Sequence, residues 1–438
     1  MAEGMPGRAA MVPLNEHPLR RMLAGEVHAR PYEVLGAPVR MSHLAVIHRE
    51  GGDSEAERTH LAQLLGQHGA EPPGEGTNYF SRDLGALRLR FERHAEFSTY
   101  TFFRFDDFDH PFFGTALELV PQAWLHHLPG DVVTAVHLAV ERTERPADAI
   151  APLFDGNPMV GSEMAGGAAQ IWTDFRLHAD GFGRILVRDV TLTGGQTGRL
   201  AQRLLEIETY RLMALLAFPL ARQSNGEVAR IERDIAGIIA ELADPAVCQN
   251  DRALLDRLTG MAAEAERLDA TTAFRLSAAR AYHAIVQQRI AELREERITG
   301  LQTVSEFMDR RLAPAMKTCE TATDRQRMLA GRISRTSGLL RTRVDIALEE
   351  KNGDLLKSMN RRAKLQLRLQ ETVEGLSVVA ISYYLLGLVS YAAKGLKAVG
   401  APVSPDLAAI VGLPIILGAV TLALRRLRRA LGQGHREE

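Results

Sequence analysis

LSVVAISYYLLGLVSYAA, residues 376–393, and LAAIVGLPIILGAVTLAL, residues 407–424, are two 18-residue runs without a charged side chain. At about 1.5 Å per residue, each covers roughly 27 Å as a helix, close to the hydrocarbon thickness of a bilayer. Thirteen residues join them, and both outer flanks are basic. The pair reads as a transmembrane helical hairpin over 376–424, bounded by Leu376 and Leu424, with everything before it a water-soluble body. The other reading is a helical hairpin buried in a soluble core. It fits poorly with two uncharged 18-mers set between arginine clusters.

Charge sets the expected topology. Lys357, Arg361, Arg362, Lys364 and Arg368 precede the first run; Arg425, Arg426, Arg428, Arg429 and Arg436 follow the second. The connecting loop carries only Lys394 and Lys397. By the positive-inside rule both termini are cytoplasmic and the loop lies outside. Tyr383 and Tyr391 bring amphipathic rings, Tyr391 at the outer interface. Pro414 inside the second run is a kink that a membrane helix tolerates.

The chain has 438 residues and a formal net charge of −1, so nothing global points to nucleic acid, and the lipid bilayer is the first expected partner. Cys248 and Cys319 stand 71 residues apart, which is neither a disulfide framework nor a metal-ligand spacing and suits a reducing cytosol. Residues 1–14 lack the continuous apolar core of a signal peptide and read as a disordered tail.

Working back from the anchor, residues 301–375 carry apolar residues every three or four positions among alternating charges. They read as one long stalk helix, with Pro314 a kink and Asn352-Gly353 a weak point. Residues 193–300 read as helical, with helices over 198–222, 227–243 and 250–298 and no further strand. Residues 15–192 read as an α+β cytoplasmic domain. There Leu87, Leu89 and Phe91 alternate with Arg88, Arg90 and Glu92, one face of a strand being wet, and this strand pairs with the aromatic run 96–106. Residues 113–127 read as helix, 131–142 as strand, and 170–178 with 184–190 as a second hairpin. Ser54-x-x-Glu57 is a capping box ahead of Leu61, Leu64 and Leu65. The expected architecture is thus an α+β domain, a helical bundle or coiled-coil stalk, a transmembrane hairpin and a basic tail over 425–438.

Chemistry-bearing residues are sparse. His94 and Glu96 fall between the two paired runs, and Asp107, Asp109 and His110 fall past the far end of the second; these types can ligate a divalent cation. A solvated turn of mutually satisfied charges is the plainer account of them. Glu26 and His28 suit a helix C-terminus better than a metal. Gly194-Gly195-Gln196-Thr197-Gly198-Arg199 opens a helix and could hold a phosphate on its amides, but it lacks the lysine and Ser/Thr of a P-loop and reads as a junction and cap. Val160-Gly161-Ser162-Glu163 lacks the second glycine of a nucleophile elbow. No acid, base and nucleophile stand together, so a non-enzymatic role is expected, with no cofactor assigned.

HPLRRMLAGEVHARP near the start, RHAEFSTYTFFRFDDFDHPF, and MNRRAKLQLRLQETVEGLSVVAISYYLLGLVSY at the anchor resemble the domain-of-unknown-function 3422 family of bacterial membrane-anchored proteins. The resemblance covers nearly the whole chain and implies an inner-membrane location without an activity. A looser architectural likeness is to the CorA-type magnesium channels. Their Gly-Met-Asn signature is replaced here by Tyr391-Ala392-Ala393-Lys394-Gly395. The expectation is a membrane-anchored structural, sensor or interaction protein that self-associates; a CorA-like transport subunit is the alternative.

Overall fold

A computed structural model of the chain describes residues 15–26, 31–49, 54–243, 251–398, 400, 402 and 404–433, with backbone only over 427–433. The expected tail 1–14, His28 and Cys248 lie outside the described residues. The first element, α1 (Arg20–Glu26), leaves its apolar side chains uncovered, with Met22, Leu23 and the preceding Leu19 all exposed.

The next elements follow local pattern. They are β1 (Val39–Ile47), α2 (Ser54–Gln67), β2 (Tyr79–Asp83), β3 (Arg88–Arg93), β4 (Phe97–Arg104), α3 (Gln122–His126), β5 (Asp131–Glu141), α4 (Ala147–Ile150), β6 (Val160–Met164), β7 (Ala169–Thr173) and β8 (Gly183–Asp189). The strands form one sheet in the order β2-β3-β4-β1-β5-β8-β7-β6, closed at its outer edge by a two-residue β9 (Glu296–Arg297). Every pairing is antiparallel except β5 with β8. The expected hairpins β3–β4 and β7–β8 are both present. β2, β6 and β9 were not expected, and β9 corrects the reading that strands end before residue 193.

The sheet is covered on both faces. On one, Leu61, Leu64 and Leu65 of α2 pack with Leu89, Tyr100 and Phe102, all nearly inaccessible. Trp124 closes this layer and donates its indole N–H to the His60 carbonyl at 2.7 Å. On the other, Met41, Phe103, Val136 and Leu138 meet Leu200, Leu204 and Ile207 of α5 (Gly194–Leu215). A third cluster, around Phe112, Phe154 and Trp172, holds α4 and the 3₁₀ turn Ala151–Phe154.

Two helix boundaries differ from expectation, each at a proline. The single helix expected over 113–127 is a 3₁₀ turn, Ala116–Leu119, and then α3. Pro121 has no N–H to donate and pushes Val120 to an extended φ of −100° and ψ of 132°. The break expected near residue 225 lies at Leu216 instead: Pro219 sits in the first turn of α6 (Ala217–Ala243), where a missing N–H costs nothing. Gly226 is carried inside that helix.

α7 (Asp251–Leu293) is followed by β9 and α8 (Val304–Arg311). Thr303 caps α8, its hydroxyl accepting from Glu306 N at 3.2 Å, while the Glu295 carboxylate accepts from Val304 N and Ser305 N at 2.9 and 2.7 Å. α9 (Ala313–Ala398) is one helix of 86 residues. Pro314 lies in its first turn rather than at a kink, and it passes through Asn352-Gly353 unbroken. α10 (Pro405–Gln433) is apolar and carries Pro414.

By compactness the chain divides into residues 1–337 and 338–438. In the first unit α9 buries Met316, Cys319 and Ala322 in the main core and packs Leu329 and Ile333 against Val228, Ile231 and Leu268. The second unit consists of the rest of α9 with α10. There Gly412 faces Val389 and Leu386, where an added Cβ would stand 3.7 and 3.8 Å from them.

Candidate functional site

The face of β1, β3 and β4 that lies beneath α5 is buried yet polar. Pairing sets Arg90 opposite Thr101 and Thr101 opposite His43, with Glu92 opposite Thr99 in the next row. The Arg88/Arg90/Glu92 side read as wet is therefore interior at Arg90, which is 7% exposed. The rows bound a cavity of about 50 Å³, closed by Gly198, Gln202, Glu206 and Tyr210 of α5 and by Glu33.

Hydrogen bonding fixes the state of His43. Thr209 donates its hydroxyl proton to the Leu205 carbonyl at 2.9 Å, so its oxygen accepts from His43 Nε2 at 3.0 Å. Nδ1 then accepts from the Thr101 hydroxyl at 2.8 Å, which is the neutral tautomer with both nitrogens used. Burial pushes the imidazole down to about 4, in keeping with that state. Burial also works to raise Glu92, but hydrogen bonds and charge from His94 and Arg90 outweigh it and hold the carboxyl down at about 2. Arg90 donates Nε to Glu92 Oε1 at 2.7 Å, Arg88 pairs with Glu33 at 3.1 Å, and Arg289 pairs with Glu206. His94 lies flat on Phe97 at 4.4 Å, and Tyr210 meets the same ring edge-on at 6.0 Å.

The glycine-rich opening of α5 has a packing cause. A Cβ at Gly198 would fall 1.6 Å from the Glu33 carbonyl oxygen, and one at Gly194 would fall 3.1 Å from that of Leu35. Only glycine lets the helix lie on this segment. Thr193 and Gln196 form a capping box, with the Gln196 side chain accepting from Thr193 N at 2.8 Å.

The five residues considered for a metal are not brought together. His94 lines the cavity, while Glu96 accepts from Arg275 at 2.7 Å on the α7 side. Asp107, Asp109 and His110 lie beyond the other end of β4, roughly 25 Å along the strand. His110 stacks on Phe113 at 3.7 Å, and the Asp109 carbonyl accepts from Arg145 at 2.8 Å. Among the described residues no three His, Cys, Asp or Glu side chains form a metal-holding group. Cys319 is buried, and burial pushes its thiol up to about 11, so it packs rather than reacts. His43, Thr99, Thr101 and Gln202 carried no sequence signal, because β1 and β4 are uniformly buried and show no alternation.

In residues 338–438 the chemistry is that of the surface. Leu376, Tyr383 and Tyr391 are 72, 74 and 75% exposed, and Pro414 is exposed too. Arg361, Arg362, Arg425 and Arg426 are exposed, and Arg428 and Arg429 lie where only the backbone is described. Two helices here are long and apolar enough to cross a membrane, and little of their apolar length is buried.

Residues 15–431 match the family described as protein of unknown function (DUF3422), and the chain belongs to it. Comparison with curated proteins and with solved structures finds no match, so the likeness to CorA-type channels gains no support.

Proposed function

We propose that this chain is a membrane-anchored protein of the inner membrane whose sheet-bearing body faces the cytoplasm and serves a structural, sensing or interaction role. One observation carries the reading: the apolar runs 376–393 and 407–424 are helical and uncovered, with Leu376, Val379, Leu388, Ile410 and Ile415 each 64–72% exposed. Exposed apolar surface of that extent is characteristic of a lipid or protein interface. The five–two–five distribution of basic residues favours a hairpin with both ends inside. Neither run offers a conducting stripe: Ser377 and Ser382 lie roughly 140° apart around the helix. Reporter fusions after Glu438 and within 394–404 test the topology. A signal from outside for the Glu438 fusion contradicts it.

Self-association completes the reading. Leu355, Met359, Leu365, Leu369 and Val373 are 57–68% exposed on α9. A helix of this length gains its stability from packing an apolar face, and burying each of these side chains yields roughly 1.5–3 kcal/mol. The membrane holds copies in the same orientation, so a second copy of the same segment is the partner at hand. Leu369→Asp with Val373→Asp is expected to lower the mass measured in detergent to that of one chain. A monomeric wild type, or an unchanged mass in the variant, refutes self-association and leaves the anchor standing.

A further inference from the structure

We infer that the basic end of the hairpin is a binding site for the headgroups of anionic phospholipids, built by Arg425, Arg426, Arg428 and Arg429 of α10 with Arg368 of α9. The site, which presupposes the membrane anchor proposed above, adds the lipid class to that reading. Residues 425–433 hold four arginines and no acid, on backbone that continues the helix. Their level follows from helix packing. α9 and α10 are joined through residues 399–404, and Gly412 faces Leu386 and Val389, which fixes the register of the antiparallel pair. At 1.5 Å per residue, Arg425 and Arg426 lie roughly 20 Å from that contact, level with residues 373–375 at the foot of the first apolar run. Arg428 and Arg429 stand about a turn further out, and Arg368 roughly 4 Å beyond Arg429. The headgroup layer is about 5–7 Å deep on each side of a bilayer, so the four α10 positions fall within it.

Charge selects the ligand. Glu371 and Glu374 stand on α9 at the same level, so four arginines against two carboxylates leave a net +2, and Arg368 makes it +3. Among the described residues, Arg368, Arg425 and Arg426 are exposed and join no ion pair, whereas Lys357, further back on α9, holds Asp354 at 3.2 Å. A guanidinium fork matches a pair of phosphate oxygens, and a lipid headgroup presents them at this depth. Each basic residue near an anionic surface strengthens the attraction about fivefold, and the effect fades within a Debye length of about 8 Å. Arg361 and Arg362 are roughly 20 Å beyond Arg425 along the helix axis and contribute little. The positive-inside rule accounts for insertion; a standing preference among lipids is a separate equilibrium property.

Electron spin resonance of spin-labelled lipids tests this on the full-length chain reconstituted in phosphatidylcholine vesicles. Labelled phosphatidylglycerol is expected to associate with the protein about threefold or more over labelled phosphatidylcholine, and the preference is expected to fall toward parity at 1 M salt. Arg425→Gln with Arg426→Gln is expected to halve the preference or more, and Arg361→Gln with Arg362→Gln to leave it unchanged. Equal association of the two lipids, or a preference that 1 M salt leaves intact, overturns the proposal. So does an unchanged preference in the first variant or an equal loss in the second. Arg428→Gln with Arg429→Gln takes the place of the first variant should that one fail to reconstitute. A wild-type chain that does not float with the vesicles overturns the anchor and this site together; one that floats without preference overturns this site alone.

Discussion

Residues of the same apolar character meet opposite surroundings in the two units of this chain. Leu64, Leu89, Tyr100 and Phe102 in the sheet-bearing unit are 0% exposed, while Leu376, Tyr383 and Ile410 in the distal unit are 72, 74 and 71% exposed. In the first, strands and helices supply each other's cover. In the second, two helices leave most of their circumference open. At roughly 25 cal/mol per Å² of apolar surface removed from water, the difference lies in which medium completes the structure. Hydrophobicity along the chain measures how much must be covered; only the packing says by what.

The contrast is open to attack from several sides. The largest effect is expected in the distal unit, from Leu385→Arg with Ile415→Arg. Each guanidinium at mid-span costs about 2.5–3.5 kcal/mol, so the pair is expected to release the chain from carbonate-washed membranes. A variant that pellets like the wild type breaks the assignment of these helices to lipid. In the sheet-bearing unit, Gly198→Ala drives a Cβ to 1.6 Å from the Glu33 carbonyl oxygen. A loss of about 4 kcal/mol or more is expected in denaturant unfolding, with membrane partition unaltered. Wild-type unfolding would show that α5 can shift away at little cost.

Acid sharpens the comparison further. Burial holds His43 and His137 down from 6.5 to about 4, so the folded body resists a proton that the unfolded chain accepts. A depressed folded value means that this stability is full above pH 6.5 and is lost as pH falls toward 4. At about 1.4 kcal/mol per unit, each histidine is expected to cost roughly 2 kcal/mol by pH 5. A denaturation midpoint that stays flat from pH 7 to 5 contradicts this. The smallest effect belongs to the Thr303 cap: Thr303→Ala is expected to cost about 1 kcal/mol, read from the same transition, and no loss would mean that Glu295 alone satisfies the α8 amides.

Much of the local structure was legible. The alternation around Leu89 marks β3, the aromatic run marks β4, and the uncharged 18-mers mark the apolar parts of α9 and α10. The cavity beneath α5 was not. Reading Arg90 as solvated was reasonable for a period-two strand, since nothing near it in sequence reveals that α5, a hundred residues later, lies over that face. The same limit hid the parallel β5–β8 pair, which joins segments through a long connection. Proline also misled where its position within a helix decides its effect. Pro219 and Pro314 begin helices, whereas Pro121 separates two.

The two residues of β9 set a schedule for the ribosome. β6 ends at Met164, and its outer neighbour begins at Glu296, so 131 residues, including all of α5, α6 and α7, are made in between. At about 5–20 residues per second, the β6 edge waits roughly 7–26 s for its partner. An open strand edge invites pairing with other chains, and charge is the usual guard. Ser162 and Glu163, which later pair with Arg297 and Glu296, keep that edge polar through the wait, so the nascent body emerges with its most adhesive border already blunted.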